Sequence, residues 1–227
     1  MKFTRRYYSL QNKNLSYVYN ASQVDKIGRK QARKKLGIAN EIVISYCGGV
    51  TLAREVHNIV DGFLISAKPN MTLYIVGNSD MDASREINEI LEKHAEKSSQ
   101  VVLVGQVDNS ELKNYMEASD LTFALYAGNS LNNRYSSPNK LFDAVALGTA
   151  IFASPSPLVR RIINTYRVGA LLQDPSPLSI SAAIDNFFVT DAQGNFQLAN
   201  EKEGWECQKE KLIHLFERFY CDGNKVR

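Results

Sequence analysis

From Glu41 onward the chain alternates short, uninterrupted apolar runs with longer stretches in which apolar residues recur at helical spacing. The runs cover 41–49 (EIVISYCGG), 72–78 (TLYIVGN), 101–107 (VVLVGQV), 121–128 (LTFALYAG), 149–155 (TAIFASP) and 169–174 (GALLQD). They are rich in Val, Ile and Leu and do not alternate with polar residues, which predicts strands covered on both faces. Between them, residues 82–97 place Ile87, Ile90 and Leu91 on one stripe, and 109–118 do the same with Leu112, Tyr115 and Met116. Strand–helix units of about 25 residues imply a parallel sheet with right-handed crossovers. The expected fold is a Rossmann-like, doubly wound α/β domain of about six strands.

A helix is predicted over 177–190, then a polar turn region over 191–204. A last helix follows from Trp205 to Tyr220, with Leu212, Leu215, Phe216 and Phe219 at i, i+3, i+4 and i+7. Core packing is the ordinary role for that stripe and for Trp205. The expected division is a basic N-terminal arm or interdomain linker over 1–40, the α/β domain over 41–200, and a closing helix and tail over 201–227.

Composition narrows the class. The 227 residues are 44% hydrophobic and 22% charged with 6 prolines, which excludes disordered, collagen-like and disulfide-stapled proteins. No apolar run approaches the ~20 residues of a membrane span, and MKFTRRYYSLQNKN lacks the apolar stretch of a signal peptide. Cys47, Cys207 and Cys221 are widely spaced and form no CxxC pair, so reduced thiols, a cytoplasmic setting and no metal are expected. Charge is divided unevenly. Residues 1–40 hold 10 Lys/Arg against the single acid Asp25, while the remainder holds 17 basic and 23 acidic side chains. Such an arm could meet an anionic lipid or an acidic surface, or simply be a solvated linker. Its tyrosines (Tyr7, Tyr8, Tyr17, Tyr19) are not spaced as a base-stacking platform, so nucleic acid is not an expected partner.

In an open parallel sheet, ligands sit outside the C-terminal strand ends. The first such loop carries Gly48-Gly49 and then Arg54; glycines let a backbone approach an anion and the arginine supplies a fork of donors, although a tight turn with a surface arginine reads the same way. After the fourth run, Ser137 is a good N-cap and Pro138 a good first helical residue for a helix running to Gly148. The first-turn N–H groups of that helix would accept a phosphate. Asp143 lies one turn behind, roughly 5.4 Å along the axis, an offset that suits a diphosphate at the tip and a ribose at the carboxylate. The plain alternative is a surface pair between Lys140 and Asp143. His57, His94 and His214 are solitary on helices and read as ordinary surface or interface residues.

The stretch SPNKLFDAVALGTAIFAS (137–154) resembles the nucleotide-sugar signature of family 4 glycosyltransferases with the GT-B fold, usually SPxKLFEYMAxGxPVIAS. ISYCGGVTLAREV, NMTLYIVGNSD with its Gly77, VVLVGQVDNSELKNYMEASDLTFAL and GALLQDPSPLSISAAI are similar to further stretches of the same family, and the Trp205 helix resembles its closing, crossing helix. The likeness extends from about Ser16 to the C-terminus. It implies that Asp143 holds the ribose hydroxyls, that the backbone at the helix start, at Asn139 and Lys140, meets the diphosphate, and that Ser137, Pro138 and Leu141 belong to the same donor-nucleotide site. The residue at Val107, after Gln106, would meet the base through its main chain, and Gly48, Gly49 and Gly77 would line the donor cleft. Arg54 and Lys140 would neutralise the leaving group, with Arg134 as a further diphosphate contact. The implied reaction is retaining hexosyl transfer from a nucleoside-diphosphate sugar, best matched to UDP, onto a polysaccharide or lipid-linked acceptor, without metal.

Three departures from the pattern are Tyr135 at the place of a first glutamate, Asp143 for the usual Glu, and Gly49 at the place of an arginine. Tyr17–Asn20 resembles the segment between the two GT-B domains, so an acceptor-binding half is expected before Met1, in cis or in trans, and the chain by itself is expected to bind donor but transfer little sugar. Peripheral contact with the inner face of a membrane is a further expectation. Two other readings stay open: a non-catalytic nucleotide-binding partner module, and a sugar-nucleotide epimerase or another GT-B relative.

Overall fold

The computed structural model describes residues 16–21, 23–39, 41–127, 130–189 and 194–223, with side chains described up to 218. The basic residues Lys2, Arg5, Arg6 and Lys13 and the side chain of Phe219 lie outside them. Six parallel strands, β1 (Ile42–Cys47), β2 (Met71–Val76), β3 (Val101–Gly105), β4 (Leu121–Ala124), β5 (Ala150–Ala153) and β6 (Gly169–Leu171), form one sheet in the order β3-β2-β1-β4-β5-β6. Each apolar run of the sequence supplies one strand. The helices are α1 (Arg29–Leu36), α2 (Val56–Ser66), α3 (Met81–Lys93), α4 (Asn109–Ala118), α5 (Asn139–Leu147), α6 (Pro157–Tyr166), α7 (Pro177–Val189), α8 (Phe196–Glu203) and α9 (Trp205–Gly223).

The two faces of the sheet carry separate cores. On one, Phe63 of α2, Ile87 of α3 and Ile180 and Ile184 of α7 pack on Ile44, Leu73, Phe123 and Phe152. Phe152 meets Phe123 and Phe187 edge-on at 5.8 and 5.5 Å, a geometry favoured by the ring quadrupoles. On the other face, α4, α5 and α6 pack Met116, Phe142, Val145 and Ile162 on Val76 and Ile151. Local chemistry starts the helices where the sequence predicts: the Asp80 carboxylate accepts the Ala83 N–H at 2.7 Å and the Asp108 carboxylate accepts that of Glu111 at 2.8 Å.

Four features differ from expectation. Residues 29–36, within the stretch read as a basic arm, form α1, which packs on α4. The buried Glu117 carboxylate accepts the N–H groups of Ile27 and Gly28 at 3.1 and 2.7 Å at the positive end of α1, and Arg29 and Arg33 both pair with Asp120 at 2.8 Å. The polar region 191–204 contains α8, started by the Asn195 side chain on the Leu198 N–H and anchored by Glu203, a buried acid that binds Arg161 through two hydrogen bonds. Strand β3 is an edge, so Leu103 is 50% exposed rather than covered. The stripe on α9 is not the expected core: Leu212 and Phe216 are exposed, Phe216 by 57%, and Leu215 is half-buried; Ile213 beside them is exposed as well.

Candidate functional site

The chain leaves β1 toward β2 on one side and β4 pairs with β1 on the other, so the C-terminal ends of β1 and β4 flank a crevice at the switch in strand order. Four segments meet there. Gly48 and Gly49 follow β1, Tyr126 and Ala127 follow β4, a single 3-10 turn carries Arg54, and α5 points its N-terminus from the segment after 130. The Ala127 N–H donates to the Ala53 carbonyl at 2.9 Å, tying two of these loops together. Gly77 adopts φ +144°, and a Cβ there would collide with the Gly48 carbonyl oxygen; only glycine lets the loops after β1 and β2 close on each other.

The charged groups sit on aromatic shelves. The Lys140 ammonium lies 3.8 Å from the Tyr46 ring centroid and the Arg54 guanidinium 4.5 Å from that of Tyr126. Tyr46 is fully buried and its hydroxyl donates to the Gly49 carbonyl at 2.7 Å. The amino end of Lys140 crosses above Gly48, 3.1 Å from where a Cβ would stand. Burial first, and then the nearby Arg54 charge, push the Lys140 pKa down to about 7, with Cys47 acting in the opposite direction. Burial raises the Cys47 thiol to about 11, a rise that the Asp143 charge reinforces and Lys140 opposes, so Asp143 stands near the end of β1. Neither Arg54 nor Lys140 has an ion-pair partner among the described residues.

The start of α5 is one residue later than predicted. Pro138, in an extended conformation, is the N-cap and Asn139 the first helical residue, so Ser137 does not cap the helix. Its hydroxyl is buried with no hydrogen-bond partner among the described residues. The displacement follows from Pro138 holding φ −70° and ψ 128°, outside the helical range. Among the described residues no acceptor faces the backbone N–H groups of Asn139 and Lys140, as at any uncapped helix start. Leu141 is different: its side chain is buried in the core and its N–H donates to the Pro138 carbonyl at 3.0 Å, so its amide is already engaged. Asn139 accepts a hydrogen bond from the Asn20 side chain at 3.1 Å.

Of the other predicted residues, Asp143 is partly buried on α5, and Arg134 is exposed at the end of a single helical turn, Leu131–Arg134. Gln106 is exposed and Val107 half-buried, just past β3, where Gly105 accepts the Gly77 N–H at 2.8 Å. Sequence reasoning missed Tyr46, Tyr126 and Asn20. Tyr46 had a signal: a phenol inside an apolar run must find a partner for its hydroxyl. His94, read as solitary, meets Asp61 at 2.8 Å.

Residues 28–196 match the family described as glycosyl transferases group 1. A phosphatidyl-myo-inositol mannosyltransferase of Mycobacterium tuberculosis is 27% identical over 170 residues, which cover 70% of this chain and 42% of that protein. Among solved structures, sucrose-phosphate synthase from Thermosynechococcus elongatus superposes with a TM-score of 0.75 at 17% identity, covering 97% of this chain and 56% of that one. HepE of Anabaena in complex with UDP and glucose does so at 0.70 and 14% identity, covering 89% and 57%. The chain thus spans about half the length of these three proteins, 42% to 57%. The family match runs over residues 28–196, most of the chain, with the glycine loops and the α5 start gathered at one crevice within it, and it places the protein: it belongs to the group 1 glycosyl transferases.

Proposed function

We propose that this chain is the donor-binding half of a retaining hexosyltransferase that uses a nucleoside-diphosphate sugar, UDP by preference, and a polysaccharide or lipid-linked acceptor. The observation that carries the reading is the convergence of Arg54, Lys140 and the open amides of Asn139 and Lys140 at one strand-end crevice. Breaking the glycosidic bond to the diphosphate builds negative charge on the β-phosphate oxygens. Fixed cations and a helix start aimed at those oxygens stabilise that charge more in the transition state than in the ground state. Asp143, one turn along α5, accepts the ribose hydroxyls and sets the register of the donor. The backbone at Val107 and the glycines at 48, 49 and 77 receive the base and the sugar nucleotide's edge. HepE, crystallised with UDP and glucose, supports the choice of nucleotide.

The acceptor half is supplied by another part of the protein or by a partner, and the exposed apolar side chains Leu212, Ile213 and Phe216 on α9 are suited to it. Contact with an anionic membrane would use exposed lysines such as Lys30, Lys34 and Lys35 on α1. A second reading, a nucleotide-binding module without catalysis, is favoured by Gly49, which offers no side chain where the family pattern has an arginine. Calorimetric titration with UDP, GDP and ADP tests both: binding of one nucleotide, weakened at least tenfold by Asp143→Ala, supports a donor site, and failure of all three refutes both readings. Sugar transfer on adding an acceptor-binding half separates the first from the second.

A further inference from the structure

Residues 17–21 are held against α5 by contacts on both sides of Asn20. The Tyr19 N–H donates to Oε1 of the buried Gln208 on α9 at 3.0 Å. The Tyr19 ring stacks on Phe142 of α5 at 5.9 Å, and the Arg161 guanidinium of α6 lies 5.9 Å from the same ring centroid. Ala21 is buried in the core that contains Phe142. Asn20 is therefore carried on an anchored backbone with its side chain exposed, and that side chain donates to Oδ1 of Asn139 at 3.1 Å. Asn139 is the first residue of α5, a helix without a side-chain cap, and among the described residues no acceptor faces the N–H groups of Asn139 and Lys140. An asparagine oxygen at a helix start is itself a good acceptor for backbone N–H groups. In this structure the Asn139 oxygen is engaged by Asn20 instead. Released, it would compete with an arriving anion for the first-turn amides.

We infer that Asn20 is a positioning residue of the donor site: it holds the Asn139 side chain off the open amides of α5, so that diphosphate affinity depends on how residues 17–20 lie. This rests on the donor-site reading and adds to it a means of regulation. Residues 17–20 are the stretch that resembles the link between the two GT-B domains. A shift of that stretch that lifts Asn20 frees Asn139 and weakens the hold on the diphosphate. By reciprocity, a bound diphosphate favours the seated position of the stretch. The lever is a single exposed hydrogen bond, which is worth about fivefold in affinity. The nucleoside end of the donor, at Val107 and Asp143, is outside its reach.

The test is calorimetric titration of the whole chain with UDP and with UMP, which lacks the β-phosphate. Asn20→Ala is expected to weaken UDP about fivefold and to change UMP affinity by less than about twofold. Its urea midpoint should match that of the wild type, because the side chain is exposed. The Asn139→Ala background keeps every backbone amide but has no competing oxygen, and there Asn20→Ala is expected to cause no further loss, the signature of a coupled pair. A residue that only supports the fold would weaken UDP and UMP alike, and would do so in both backgrounds. Unchanged UDP affinity in Asn20→Ala, an equal loss for UMP, or the same loss in both backgrounds overturns the inference while leaving the donor site standing. Absence of binding by every nucleotide to the wild type overturns both.

Discussion

Replacing Gly77 by alanine places a methyl group against the carbonyl oxygen of Gly48. Gly77 also holds φ +144°, a region that side-chain-bearing residues enter at a cost of about 1–3 kcal/mol. Relief requires one of the two strand-end loops to retreat. The hydrogen bonds at risk are Gly48 N–H to the Val76 carbonyl and Gly77 N–H to the Gly105 carbonyl, both 2.8 Å, worth about 1 kcal/mol each. Strain and one broken bond together give a destabilisation of about 3 kcal/mol. For a chain of this length, that corresponds to a fall of about 6–12 °C in Tm. Because Lys140 crosses directly above Gly48, a displaced loop also misplaces the amine, and UDP affinity is expected to drop by roughly tenfold, equivalent to about 1.4 kcal/mol. Urea unfolding followed by circular dichroism and UDP titration of the folded variant measure the two effects separately. A loss below about 1 kcal/mol with unchanged UDP affinity would refute the claim that these loops are locked together by the absence of a side chain.

Other consequences are equally direct. In Glu203, burial alone would raise the pKa, but the two hydrogen bonds and the charge of Arg161 outweigh it and the net shift is downward. Its contribution to stability is therefore complete above the unfolded carboxylate's pKa and disappears as pH falls through the lower folded value. Glu203→Gln is expected to cost about 2 kcal/mol at pH 7, less than a fully buried pair because Arg161 is partly exposed, and urea curves of variant and wild type should converge in strong acid. Asp120→Ala leaves Arg29, Arg33 and the Val43 N–H without their shared carboxylate and should lower stability by about 3 kcal/mol, with UDP affinity unaffected because α1 lies away from the crevice; a loss of UDP binding in the folded variant would contradict that separation. Phe216→Ser, at an exposed site, should change stability by less than about 0.5 kcal/mol in urea unfolding of this chain, and a large loss would mean that the α9 stripe is packed after all.

The sheet was legible because its inner strands are covered by helices: a buried parallel strand has to be apolar, and the runs of the four inner strands, β1, β2, β4 and β5, report that directly, while the edge strand β6 is only half-buried. Strand β3 broke the rule at Leu103, since an edge strand can be apolar without being covered. Helices α1 and α8 escaped periodicity because polar partners hold them. The anchors of α1 are Glu117 and Asp120, some 90 positions away, and the buried side of α8 presents Glu203, which scans as surface until Arg161 is set beside it. At the site, glycines, the basic residues and the α5 start were legible from local chemistry, while the shelves under the cations were not. Tyr46 and Tyr126 meet Lys140 and Arg54 only once four separate loops are brought to one crevice. The α9 stripe shows the converse: spacing predicts a sticky face but not what it faces.

The central claim concerns where a nucleoside diphosphate lands, and a crystal structure of this chain grown with UDP answers it most directly. The account predicts the β-phosphate within hydrogen-bonding distance of the Asn139 and Lys140 amides, Arg54 and the Lys140 ammonium on its flank, and the ribose hydroxyls on Asp143. A diphosphate seated elsewhere, or a ribose directed away from Asp143 with the α5 amides unengaged, would contradict it.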